Sequence, residues 1–178
     1  FIARLTLRFF IGTNTSNAEF QFGAVSFSNV AQKDFDLNMY TENTQLYNAI
    51  LGIRYVGKAT YTNLALNYIV DNNMFSKGRT SAPDIALLVT DGVSTVPSRT
   101  LYHVPQNRIG ENNVLAAAKR LRNSNVQIMA LGVGTKINTA ELNNITNNPS
   151  DVYNINDFDS FKKIEDRFSY SVCTAPVH

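Results

Sequence analysis

The chain has 178 residues, of which 44% are hydrophobic and 17% charged, with a formal net charge of +2 at pH 7. That length and balance suit one globular domain with a sizeable core. So small a charge gives no case for nucleic acid, and no run of about 18 apolar residues offers a membrane-spanning helix. Phe1–Ile11 is apolar but interrupted by Arg4 and Arg8, unlike a signal-peptide core.

The same opening segment leaves two readings of its backbone. Ile2, Leu5 and Phe9 fit one helical face, whereas Leu5, Leu7 and Phe9 alternate as in a strand. Phe20–Ser28 and Lys33–Tyr40 read as two strands joined by a turn around Ser28-Asn29. Thr44–Ile53 and Thr60–Val70 read as helices, and Asp84–Thr90 as a strand. Val114, Ala117, Ala118 and Leu121 form an apolar stripe at helical spacing, ending in basic Lys119, Arg120 and Arg122. Cations in a last turn favour the negative helix end, so these charges read as dipole partners. Val126–Val133 is a further buried strand, and Thr139–Thr146 a short helix with Thr139 at its cap position. Asp157 or Asp159 then caps a final helix carrying Phe161, Ile164, Phe168 and Val172. Strands alternating with helices predict a largely parallel sheet covered on both faces.

Two segments carry the chemistry. Ile85 to Val89 is a continuous apolar run that stops at Thr90-Asp91-Gly92. A buried parallel strand ended in this way delivers a carboxylate to its C-terminal end, where open α/β sheets place their ligand sites. Gly57-Lys58-Ala59-Thr60-Tyr61-Thr62 precedes the periodic run Leu64, Ala65, Tyr68, Ile69. Threonines there can cap a helix. A hydroxyl and a carboxylate at one end of a sheet can also ligate a hard divalent cation, which prefers oxygen.

Together these segments resemble the von Willebrand factor type A domain, the family that includes integrin I domains. The resemblance runs along nearly the whole chain. Phe22-Gly23-Ala24-Val25-Ser26-Phe27-Ser28 is similar to the family's second strand. Val114–Arg122 followed by Val126–Gly134 is similar to its late helix and the strand ending Gly-Val-Gly, and Val152–Tyr153 and Phe158–Cys173 are similar to its last strand and helix. The fold it implies is three-layered and Rossmann-like: a mostly parallel sheet, an antiparallel edge strand, and helices on both faces. It favours the helical reading of the opening segment. It also implies a metal-ion-dependent adhesion site, with Thr60 a direct ligand and Asp91 a direct or water-bridged one. Thr62 and Ser94 are candidates for groups behind these ligands. The ion is Mg²⁺, or Ca²⁺ or Mn²⁺ in its place. Few charged ligands touch it, so it stays electrophilic and takes a carboxylate from a partner.

Departures from the family pattern are as informative. The family's first strand ends in an aspartate-x-serine-x-serine loop that supplies three oxygen ligands, and no such motif occurs in this chain. That strand is central to the family's sheet, and its loss leaves open edges. Residues 1–178 are therefore expected to form a single type A domain that is N-terminally incomplete. Cys173 is the single cysteine. The family often bridges this position to a cysteine before the first strand, so Cys173 is a disulfide candidate. From Val93 to Asn113 about twenty residues intervene where the family uses a short loop, and connections this long are often functional. Arg99, Tyr102, His103 and Arg108 lie there, and Tyr and Arg are enriched at interface hot spots. A surface insertion without a role is the plainer alternative. Asn14-Thr15-Ser16 and Asn144-Ile145-Thr146 are glycosylation sequons, compatible with an extracellular chain.

Catalysis finds no support. His103 and His178 are the only histidines, Cys173 has no evident base, no Gly-x-Ser-x-Gly elbow is present, and Gly132-Val133-Gly134 lacks the third glycine of a dinucleotide fingerprint. The family resemblance implies a secreted, extracellular-matrix or cell-surface adhesion domain that binds protein partners, with collagen the leading ligand by analogy. It leaves open a metal-independent structural module that organises fibrils through a surface face. It also leaves open a signalling domain whose last helix slides.

Overall fold

A computed structural model of the protein describes residues 2–12, 19–57, 59–95, 114–155 and 168–173. Its backbone follows the hydrophobic pattern. β3 (Asp84–Thr90), β4 (Val126–Val133) and β5 (Val152–Ile155) form a parallel sheet in that order. Leu88 lies opposite Ala130, and Leu131 opposite Tyr153. A sheet with helices on both faces needs apolar side chains on both sides of each strand. β4 meets this demand by alternation. Met129 and Leu131 enter one core, while Val126, Ile128 and Ala130 enter the other.

The helices divide between these two cores. α1 (Ile2–Thr6) and α2 (Asn43–Leu51) place Leu5 and Leu46 in the first, joined by Phe9, Phe35 and Phe168. The Asn43 side-chain amide donates to the carbonyls of Thr6 and Phe9 at 3.3 and 3.0 Å, tying the end of α1 to the start of α2. α3 (Thr62–Asp71), α4 (Val114–Arg122) and α5 (Thr139–Thr146) cover the second core with Leu66, Ala117, Ala118, Leu121, Leu142 and Ile145. Residues 168–173 are helical and return Phe168 and Val172 to the first core.

β1 (Ala24–Phe27) and β2 (Ala31–Phe35) pair antiparallel as a separate two-stranded sheet. Both strands are shorter than their apolar patterns predict. Phe20 and Phe22 stack on Phe9, with ring centroids 4.7 and 5.7 Å away, and leave the ladder to begin at Ala24. After Phe35 the chain turns at Asp36–Met39, where Asp36 holds both Lys33 and Lys77. Tyr40 then packs edge-on against Phe35 instead of extending β2.

Two local expectations need correction. α3 starts two residues later than predicted, with Tyr61 at its cap position and no side-chain cap bond, so Thr60 stands outside the helix. α5 is capped by Asn138, whose side chain accepts the Glu141 N–H, and not by Thr139. The basic residues of α4 stand in its last turn and also reach its neighbours. Arg120 reaches Asp71 on α3 at 2.6 Å, and Arg122 donates to the Ile145 carbonyl on α5. Asp157, Asp159, Phe161 and Ile164 lie outside the described residues.

Candidate functional site

The site starts from the end of β3. Thr90 is buried, and its hydroxyl bonds both backbone groups of Gly92: it accepts the N–H at 3.4 Å and donates to the carbonyl at 3.2 Å. This tight local turn leaves Asp91, between them, exposed. The loop before α3 meets it. Tyr61 N–H donates to the Ser28 carbonyl at 3.0 Å, which fixes the loop to the β1–β2 turn. Thr60 and Thr95 bond reciprocally: Thr60 N–H donates to Thr95 Oγ1 at 3.0 Å, and Thr95 N–H donates to the Thr60 carbonyl at 2.8 Å. The two motifs singled out in the sequence are thus stitched together. A methyl group placed on Gly92 would lie 3.9 Å from Thr60 Oγ1, so the hydroxyl sits beside the Asp91-Gly92 turn.

Thr60 and Asp91 open into one cleft of about 520 Å³. Val25, Ser26 and Phe27 of β1 line one side, and Val89 and Thr90 of β3 another. Among the described residues β1 pairs only with β2, and β3 only with β4, so there both strands turn an unpaired edge toward this space. Both also contribute to the same two cores: Ala24 and Val89 to the first, Phe27 and Leu88 to the second.

Thr62 and Ser94 stand behind the cleft. Thr62 is fully buried, and its hydroxyl accepts a bond from Ser94 Oγ at 2.8 Å. Ser94 N–H in turn donates to Glu141 Oε2 at 3.3 Å. Glu141 was not singled out by the sequence. The spacing Asn138-x-x-Glu141 signals a capping box, but only half of one forms. The carboxylate leaves its own helix end and crosses to the loop after Asp91.

Among the described residues, neither the Thr60 hydroxyl nor the Asp91 carboxylate takes part in a hydrogen bond. Their chemistry suits a hard divalent cation, and they amount to two of the roughly six oxygen positions such an ion fills. No group of three or more His, Cys, Asp or Glu side chains converges among the described residues. Arg99, Tyr102, His103, Arg108 and Asn14 lie outside them. Asn144 is exposed on α5, and Cys173 is an exposed free thiol.

Residues 1–167 match the von Willebrand factor type A domain. The chain belongs to this family. Among curated type A relatives, the collagen alpha-4(VI) chain of Mus musculus is 30% identical over 166 residues, covering 92% of this chain and 6% of the collagen. The human collagen alpha-5(VI) chain is 29% identical over 154 residues, covering 86% of this chain and 5% of that one. The chain therefore spans a small fraction of these extracellular-matrix relatives, whose setting agrees with the expected one. Solved structures share the type A fold. Proximal thread matrix protein 1 from the mussel byssus, with a zinc-occupied adhesion motif, aligns with a TM-score of 0.75 at 23% identity, over 97% of this chain and 41% of that one. Manganese-loaded TRAP protein of Plasmodium vivax aligns with a TM-score of 0.68 at 16% identity, over 94% of this chain and 63% of that one. No helix among the described residues is long and apolar enough to cross a membrane.

Proposed function

We propose that this type A domain is an extracellular adhesion module that binds a protein partner through a divalent cation at the mouth of the cleft. The observation that carries the reading is the pairing of Thr60 and Asp91. Two loops 31 residues apart in sequence are bonded to each other through Thr60 and Thr95, and both present oxygens to one opening. A structural turn needs neither the shared opening nor an exposed carboxylate that takes part in no hydrogen bond among the described residues. When bound, the ion supplies an electrophilic position for a partner's carboxylate. Thr60 holds it through a neutral hydroxyl and Asp91 through its carboxylate. Thr62 and Ser94 hold the loops in register. Mg²⁺ is the ion favoured, with Ca²⁺ or Mn²⁺ as substitutes; the zinc- and manganese-loaded neighbours support a divalent ion in this fold.

Collagen is the leading partner, supported by the collagen chains among the relatives. The two unpaired edges facing the cleft support the expectation that a further strand belongs between β1 and β3. A strand there would bring additional oxygens beside Asp91. The decisive experiment is binding of the natural polypeptide to immobilised fibrillar collagen, with Mg²⁺ and with excess chelator. Saturable binding that is lost with chelator and in Asp91→Ala, with the circular dichroism spectrum unchanged, supports the reading. Saturable binding indifferent to both refutes it and favours the metal-independent module.

A further inference from the structure

The loop that carries Asp91 is held from three directions. Its own strand holds it through Thr90, and the α3 approach holds it through Thr60 and Thr62. The third hold comes from an element outside both motifs, the first turn of α5. There Glu141 is anchored by its own backbone, with its N–H donating to the Asn138 side chain at 3.2 Å. Its carboxylate accepts the Ser94 N–H, across 47 residues of sequence. Ser94 passes the restraint to Thr62, which is buried at the start of α3. Glu141, Ser94 and Thr62 thus form a continuous chain of bonds from α5 to α3.

We infer that Glu141 is a positioning residue for the cation site, fixing the Asp91 turn against Thr60 from the far side of the loop. This rests on the metal reading proposed above. The physical case is one of entropy and reach. Ser94 lies three residues beyond Asp91 on the same loop, so a restraint on Ser94 acts on the Asp91 turn through a short stretch of backbone. Two oxygen ligands on separate loops bind an ion well only if their separation is fixed before the ion arrives. Glu141 supplies that constraint at Ser94, without being a ligand itself. Its role depends on the acceptor oxygen and not on its charge, so glutamine can replace it.

The test is Mn²⁺ titration of the natural polypeptide, following the free-ion electron paramagnetic resonance signal, for the parent, Glu141→Ala, Glu141→Gln, Ser94→Ala and Asp91→Ala. Melting temperatures are measured in chelator alongside. Loss of one such bond weakens Mn²⁺ binding about three- to tenfold in Glu141→Ala and Ser94→Ala. Glu141→Gln is expected to bind within about twofold of the parent. An unchanged dissociation constant in both weakening variants overturns the inference, whatever happens to the melting temperature. Equal weakening in Glu141→Gln and Glu141→Ala also overturns it, since the charge and not the bond would then matter. Asp91→Ala separates the levels. If it binds Mn²⁺ as the parent does, the metal reading itself fails. If it loses binding while Glu141→Ala is unaffected, only the positioning role fails.

Discussion

Leu131→Ala probes how the sheet divides the molecule. Leu131 lies on β4 with 1% of its surface exposed, packed in the core with Leu46, Met129, Tyr153 and Ile155. The substitution removes three carbons. At about 0.8 kcal/mol per buried carbon this gives roughly 2.4 kcal/mol of transfer energy. β3 and β5 flank Leu131 on both sides, so collapse is restricted and a cavity term adds to the transfer energy. A total of about 3 kcal/mol follows. In a domain of this size that corresponds to a fall in Tm of about 6–12 °C. Val89, its register partner on β3, lines the cleft and is only half-buried. Val89→Ala leaves a site that water can reach and is expected to cost about 1 kcal/mol or less. Urea unfolding at constant m-value measures both. A Leu131→Ala loss below about 1 kcal/mol would refute the assignment of β4 as the central wall. A Val89→Ala loss equal to that of Leu131→Ala would show that the outer side of β3 is covered in the protein measured, as a further strand beside it would cover it.

Further expectations concern the turn after β4 and two carboxylates. Gly134 follows β4 with a φ of +91°, which side-chain-bearing residues rarely adopt, although nothing lies within 4 Å of an added Cβ. Gly134→Ala should therefore cost about 1 kcal/mol through backbone strain alone, and Gly134→Val no less; equal stability of Gly134→Ala and parent in urea unfolding would contradict this. Hydrogen bonds from Lys77 and then Lys33 hold Asp36 below its ordinary pKa of 3.8. Its contribution is present above that value and lost as pH falls through the lower folded value. Asp36→Asn should thus melt below the parent at pH 7, with the gap closing under pH 3.8. Burial raises the Asp84 carboxyl instead. Its favourable contribution is complete below pH 3.8 and lost as pH rises through the raised folded value. Asp84→Asn should thus melt above the parent at neutral pH and lose that advantage in acid; the opposite trend in a pH series of melting curves would contradict it.

The best-read elements are those whose patterns answer to one cause. β3, α4, β4 and α5 run as predicted over Asp84–Thr90, Val114–Arg122, Val126–Val133 and Thr139–Thr146. Continuous apolar runs or a 3.6-residue stripe, ended by polar residues, leave little freedom there. The hairpin was harder to read because Phe20 and Phe22 satisfy a strand pattern yet are drawn onto Phe9 by ring packing. A periodic count cannot separate pairing from stacking. The sequence pointed to Thr60 and Asp91, which line one cleft, and to Thr62 and Ser94, which are bonded to each other. Glu141 was not legible. Its partner is 47 residues away, and its local pattern points to a capping role that its side chain does not fill. The unpaired edges of β1 and β3 were legible only through the family comparison, because the absent central strand is a matter of topology and not of any one segment.

Paramagnetic mapping with Mn²⁺ tests the account's central claim most directly. Resonances of the ¹⁵N-labelled protein are assigned, and Mn²⁺ is added in small steps. The account predicts that the amide signals of Thr60, Tyr61, Asp91 and Gly92 broaden first and together, and that Asp91→Ala removes the effect. Uniform broadening, or selective loss centred on another surface, would contradict a cation site between these two loops.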